Sequence, residues 1–146
     1  MIPAKGRLLG VDYGTVRVGL AVSDPDRIIS SPLETYTRRA LAEDAAYFVQ
    51  LVKQERIVGL VVGLALHSGG EEGIKAKECR AFAAWLMETT GLPAVLWDER
   101  FTSSLAEDML QGAGLTSKQR KARRDRVAAQ MILQGYIEAG CPPSTT

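Results

Sequence analysis

The chain has 146 residues, carries 18 Lys+Arg against 17 Asp+Glu for a formal net charge of +1, and is 46% apolar. That is enough for one buried core without disulfides or a structural metal, and it excludes a disordered chain or a wholly basic, histone-like binder. Apolar runs such as Gly59 to Leu66 fall well short of the roughly 20 residues that cross a bilayer, and the opening MIPAKGRLLG lacks a secretory-signal pattern. Cys79 and Cys141 have no C-x-x-C partner, so the expectation is a cytoplasmic protein from a reducing compartment.

Arg7 to Asp12 and Arg17 to Ser23 are short Val- and Leu-rich runs separated by Tyr13-Gly14-Thr15, which predicts a hairpin. Ile28 to about Glu34 reads as a third strand, and Pro32 assigns it to an edge. Leu41, Ala45, Phe48 and Val52 recur at helical spacing and predict a helix over about 39–54. Ile57 to Gly63 has no polar face, as expected of an interior strand covered on both sides. A glycine-rich loop (His67 to Gly73) leads into a helix with Ile74, Phe82, Trp85 and Leu86 on its apolar stripe, closed by Gly91. Ala94 to Asp98 is a further strand. Ser104 to Glu107 has the capping-box pattern and opens a short helix ending near Gly112. A last helix begins near Ser117 or nearer Arg123 and runs to about Ala139. The order implies an α/β fold, a mixed sheet whose first three strands form an antiparallel meander, with helices on both faces. Neither an internal repeat nor a linker divides the chain, so one domain over 1–146 is expected, with 139–146 as a tail.

Three acids fall where such sheets collect reactive groups, beyond strand ends and on a facing helix. Asp12 ends the first strand before a tight turn. Glu99 follows the last strand, beside Asp98 and Arg100. Asp125 on the last helix is in line with Ala129, Ile132 and Tyr136, a core-facing stripe, while Gln130 and Gln134 fall on the opposite face. An acid aimed at a sheet needs a partner, and a divalent cation shared with other carboxylates would provide one. Each also has a plainer reading: Asp12 as a turn former, Glu99 paired with Arg100 or capping a helix, Asp125 paired with Arg123, Arg124 or Arg126.

Four segments together resemble a known family. Asp12-Tyr13-Gly14-Thr15-Val16-Arg17-Val18-Gly19-Leu20-Ala21 is similar to the D-x-G-x-x-R-[IV]-G-x-A signature of the YqgF, or RuvX, family of Holliday junction resolvases. Val62-Gly63-Leu64 resembles its V-G-L-P loop, Asp98 to Ser103 its D-E-R-[LF]-[ST]-[ST] segment, and Asp125 to Ala129 its D-x-x-A-A helix. The resemblance covers about Lys5 to Ile137. It implies a ribonuclease H-like fold with a five-stranded mixed sheet, and a nuclease that matures the precursor of small-subunit ribosomal RNA. It also implies catalysis by divalent metal on three acids, which fall on Asp12, Glu99 and Asp125. Two positions depart from the pattern: Ala65 replaces the family's proline, and His67 stands where a polar residue, usually Asn, is expected. His67 is a candidate for contact with substrate or metal, against a plainer reading as a solvated side chain.

The expected mechanism is phosphodiester hydrolysis with two Mg²⁺ or Mn²⁺ ions roughly 3.5–4 Å apart, one activating water and one stabilising the leaving 3′ oxygen. Oxygen-only ligands favour these ions over Zn²⁺. Between Lys118 and Arg126 the chain reads KQRKARRDR, with six basic residues in nine positions. Lys118, Arg120, Lys121, Arg123, Arg124 and Arg126 are therefore candidate phosphate contacts, together with Lys5, Arg17 and Arg100. Gly112, Gly114 and Thr116 precede the run, which suggests a flap that orders on nucleic acid. Residues 1–116 carry 12 bases and 15 acids, whereas 117–146 carry 6 bases and 2 acids, so near-neutrality conceals a basic end. The expected partners are precursor RNA or branched DNA, with no membrane, acting as a monomer or a homodimer. Two other readings stay open: an ATP-binding relative of the actin-like fold, through the phosphate-binding D-x-G-T pattern of Asp12 to Thr15, and a non-catalytic nucleic-acid-binding module.

Overall fold

The computed structural model describes residues 1–64, 73–98 and 117–142. Strands β1 (Arg7–Asp12) and β2 (Arg17–Ser23) form the antiparallel hairpin, in a register that sets Asp12 opposite Gly19. Strand β3 (Ser30–Thr37) adds antiparallel to β2, and helix α1 (Leu41–Gln54) follows. Strand β4 (Ile57–Leu64), helix α2 (Ile74–Thr90), strand β5 (Ala94–Asp98) and helix α3 (Ser117–Glu138) complete the described elements. The five strands lie in the order β3-β2-β1-β4-β5, with β4 parallel to both β1 and β5. A mixed α/β sheet with a leading antiparallel meander is thus the observed architecture.

Side-chain alternation along the strands divides the interior into two layers. Leu9, Val11, Val18 and Leu20 pack with Phe48 and Leu51 of α1 and Phe82 and Leu86 of α2. On the other face Leu8, Ala21, Val61 and Trp97 pack with Ala129, Ile132, Leu133 and Tyr136 of α3. Gly10 lets α3 come close, because a Cβ there would meet Leu133 Cβ at 2.8 Å and Ala129 O at 2.9 Å. Both helix ends that were legible from glycine are observed. Gly91 caps α2 in the left-handed conformation, its N–H donating to Met87 O at 2.8 Å, and Gly140 (φ +88°) follows the end of α3.

Several expectations are corrected. Strand β3 starts at Ser30, because the Asp24 carboxylate accepts hydrogen bonds from the N–H groups of Ile28 (2.8 Å) and Ile29 (2.9 Å) and holds them in a turn. Both isoleucines are exposed. Helix α1 begins at Leu41, which faces solvent, and the buried position of its first turn is Asp44. Ile74 is exposed as well, so the buried stripe of α2 runs through Ala76, Cys79, Phe82, Ala83 and Leu86. Gln130 and Gln134 do not face away from the sheet. Gln134 Oε1 accepts from the N–H and hydroxyl of Ser30 at 2.8 and 2.9 Å, and Gln130 Nε2 donates to Ser30 O at 3.1 Å, so both dock α3 onto β3. Helix α3 starts at Ser117, and the basic run forms its opening turns. Ala65, His67, Glu99, Arg100 and the expected helix from Ser104 to Gly112 lie outside the described residues.

Candidate active site

Parallel pairing of β1, β4 and β5 puts their C-terminal ends, Asp12, Leu64 and Asp98, on one edge of the sheet. The two strand spacings between β1 and β5 amount to about 10 Å. Asp98 is buried, and Glu99 is the next residue in the chain.

The hairpin brings a second acid to the same edge. Leu8, Gly10 and Asp12 alternate onto the face that α3 covers, as do Arg17, Gly19 and Ala21 on β2. Gly19 lies so close to α3 that an added Cβ would collide with the backbone carbonyl of Asp125. Because Gly19 is the cross-strand partner of Asp12, this contact carries Asp125 to the end of β1. Gly14 is required locally, since the Arg17 carbonyl would meet any side chain there.

Asp12 and Asp125 line one cleft of about 540 Å³. One wall is the turn Tyr13–Val16 with Arg17, another is the start of α2, which contributes Ile74, Lys75 and Glu78, and Asp125 closes it from α3. Arg17 Nε donates to Asp125 Oδ2 at 2.8 Å, both side chains being partly exposed. The ion-pair partner of Asp125 is therefore a residue 108 positions earlier in the chain, not a neighbouring arginine of its own helix. A carboxylate with one oxygen so held is fixed in orientation and keeps a second oxygen for another ligand. The described residues contain no group of three or more His, Cys, Asp or Glu able to hold a metal, so the structure gives two carboxylates of the expected three.

Of the expected phosphate contacts, Arg17 sits in the cleft, engaged with Asp125. Arg123, Arg124 and Arg126 flank Asp125 on α3, with Arg124 the most exposed. Lys118, Arg120 and Lys121 belong to the first turns of the same helix. Lys5 is not brought to the site, because it precedes β1 and so lies at the other end of that strand from Asp12. Lys75 and Glu78 were missed from sequence. They are one turn apart at the start of a helix whose apolar stripe gives no sign of which polar side faces the sheet edge.

Elsewhere a buried acid, Asp44, is perturbed. Burial pushes its pKa up, but hydrogen bonds from the Tyr36 hydroxyl, the Arg39 N–H and Arg38 outweigh that and leave it below the ordinary value of 3.8. Burial and the same Asp44 contact push the Tyr36 hydroxyl up to about 12.

The sequence matches the profile of the RuvX family, described as Holliday junction resolvase, over residues 6–139. A Rhodopirellula baltica protein named "Putative pre-16S rRNA nuclease" is 53% identical over 137 residues, covering 94% of this chain and 79% of its own. A protein of the same name from Koribacter versatilis is 41% identical over 133 residues, covering 91% and 87%. Among solved structures, the RuvC of T. thermophilus in complex with Holliday junction substrate superposes with a TM-score of 0.61 at 14% identity, covering 94% of this chain and 98% of that one. The yeast mitochondrial Holliday junction resolvase Ydc2 gives a TM-score of 0.50 at 11% identity, covering 95% and 82%. These two likenesses concern the fold, which is that of the ribonuclease H-like resolvases, whereas the profile and the identities concern descent: the chain belongs to the RuvX family.

Proposed function

We propose that this protein is a metal-dependent nuclease that hydrolyses phosphodiester bonds in the precursor of 16S ribosomal RNA. The observation that carries the reading is the meeting of Asp12 and Asp125, from opposite ends of the chain, in one cleft at the C-terminal edge of the sheet. Their relatives' names supply the substrate.

The donor set fits a hard divalent cation. Asp12 and Asp125 offer carboxylate oxygens, and among the described residues no imidazole or thiolate lines the cleft, which favours Mg²⁺ or Mn²⁺ over Zn²⁺. Glu99, the residue after buried Asp98 at the end of β5, would be the third ligand that the family resemblance implies. Bound cations would supply the positive charge that eases deprotonation of a water and offsets charge on the leaving oxygen. The protein's own work is placement. Arg17 orients Asp125, and the basic start of α3 holds the phosphate backbone where the helix dipole also favours an anion. Lys75, on the facing wall, is placed to take a further phosphate.

A second reading, cleavage of branched DNA, is favoured by the family description. One experiment separates them: purified protein in Mg²⁺ or Mn²⁺ is offered precursor 16S RNA, unstructured RNA and four-way DNA junctions side by side. Preferential cutting of the precursor is expected. Symmetric cutting of the junction with the RNA intact would transfer the assignment to DNA, and binding without cleavage would leave a recognition module.

A further inference from the structure

The cleft has walls from distant parts of the chain, and something must fix their separation. The ring of Tyr13, the residue after Asp12, meets the ring of Phe82 on α2 at a centroid distance of 4.8 Å and an interplanar angle of 43°. Arg38, just beyond β3, lies against both. Its guanidinium carbon is 5.6 Å from the Tyr13 centroid and 5.2 Å from that of Phe82, within cation–π range of each. Its backbone N–H donates to Val16 O at 2.9 Å, so the same residue also holds the far end of the Asp12 turn.

What holds Arg38 is Asp44. Arg38 Nε donates to Asp44 Oδ2 at 3.3 Å, and the Asp44 side chain is only 1% exposed. Asp44 Oδ1 in turn accepts from the Tyr36 hydroxyl at 2.7 Å and the Arg39 N–H at 2.9 Å. A long, flexible side chain is thereby confined to one place, with its flat cation against two aromatic rings. Neither Arg38 nor Asp44 lines the cleft, so any influence of the Arg38 side chain on the reaction passes through its contacts with Tyr13 and α2.

We propose that Arg38, anchored by buried Asp44, is a positioning residue that locks the Asp12 turn to α2 and so sets the width of the cleft in which nucleic acid is cut. The proposal deepens the nuclease reading and rests on it. A purely structural tie between β3 and α1 would use the same ion pair, but it would need no contact with Tyr13 or Phe82.

The test compares wild type with Arg38→Met, Arg38→Lys and Asp44→Asn, all at a temperature where circular dichroism shows each variant folded. Two readouts are taken: kcat and KM for metal-activated cleavage, and amide hydrogen exchange over Tyr13 to Arg17. Arg38→Met keeps the backbone bond to Val16 and much of the side-chain bulk, so it isolates the guanidinium. A shift of the turn of under an ångström is expected to lower kcat about tenfold with KM nearly unchanged, and to speed exchange of the turn amides by a similar factor. Arg38→Lys and Asp44→Asn should fall between. Arg38→Met with wild-type kcat and wild-type exchange, but a lower melting temperature, would overturn the proposal in favour of a structural tie. If wild type itself cleaves none of the substrates, the nuclease reading fails separately, and exchange alone then decides whether Arg38 holds the turn: unchanged exchange overturns it.

Discussion

Gly19→Ala tests how the two acids are brought together. The three atoms nearest to the new Cβ all belong to the Asp125 backbone, so no rotamer change can relieve the clash. Helix α3 would have to retreat from β2 by roughly 1 Å or more before ordinary van der Waals spacing is restored. Overpacking of this kind costs about 1–3 kcal/mol, which in a domain of this length lowers the melting temperature by about 2–12 °C. Retreat of α3 also withdraws Asp125 from Asp12, and a displacement of about 1 Å in a catalytic group can cost on the order of 100-fold in rate. Gly91→Ala is the matched control. It strains a left-handed residue (φ +73°) with open space around it at the far end of α2, so it should lower stability while leaving cleavage intact. Thermal unfolding followed by circular dichroism, with cleavage rates measured well below both melting points, reads the two effects separately. A Gly19→Ala protein that melts and cleaves like wild type would refute the close approach of Asp125 to β2.

Three further outcomes are expected. Asp44→Asn should lower stability at neutral pH by about 1–3 kcal/mol, because buried donors lose a charged acceptor. The folded-state pKa of Asp44 is lowered from 3.8, so the wild-type advantage is complete above that value and shrinks as pH falls below it; urea denaturation at pH 7 and pH 3 would show equal differences if the carboxylate were irrelevant. Arg17→Gln and Asp125→Asn, alone and combined, should give a coupling of about 0.5–1 kcal/mol for a partly exposed pair, and additive effects would contradict the ion pair. Lys75→Gln should reduce the slope of log binding constant against log salt for single-stranded RNA by about 0.7, the share of one phosphate contact, whereas an unchanged slope would remove Lys75 from the interface.

Strands β1, β2 and β5 were legible to the residue because turn formers or helix stops bound their apolar runs. Apolar content misled where a local hydrogen bond intervened. Ile28 and Ile29 look like the start of a strand, yet the Asp24 side chain ties their N–H groups into a turn. Leu41 completes a helical stripe on paper, but α1 is rotated so that Asp44 enters the interior, which an acid does only because Tyr36, Arg38 and Arg39 supply its hydrogen bonds. Asp125 was legible as an inward-facing acid from its alignment with Ala129, Ile132 and Tyr136, all buried as expected. Its partner was not, because pairing with Arg17 depends on how α3 lies across β2, and that depends on the missing side chain of Gly19. Lys75 and Glu78 were hidden for a similar reason: the packing of α2, anchored at Phe82 and Leu86, decides which of its polar residues reach the sheet edge.

Whether Asp12 is a metal ligand of a nuclease is tested most directly by cleavage of precursor 16S RNA by wild type and Asp12→Asn across a Mn²⁺ titration. Asn is nearly isosteric with Asp, so the variant should melt like wild type while its cleavage falls by at least about 100-fold and requires far more metal. Folded Asp12→Asn protein that cleaves at the wild-type rate at the same metal concentration would contradict the account.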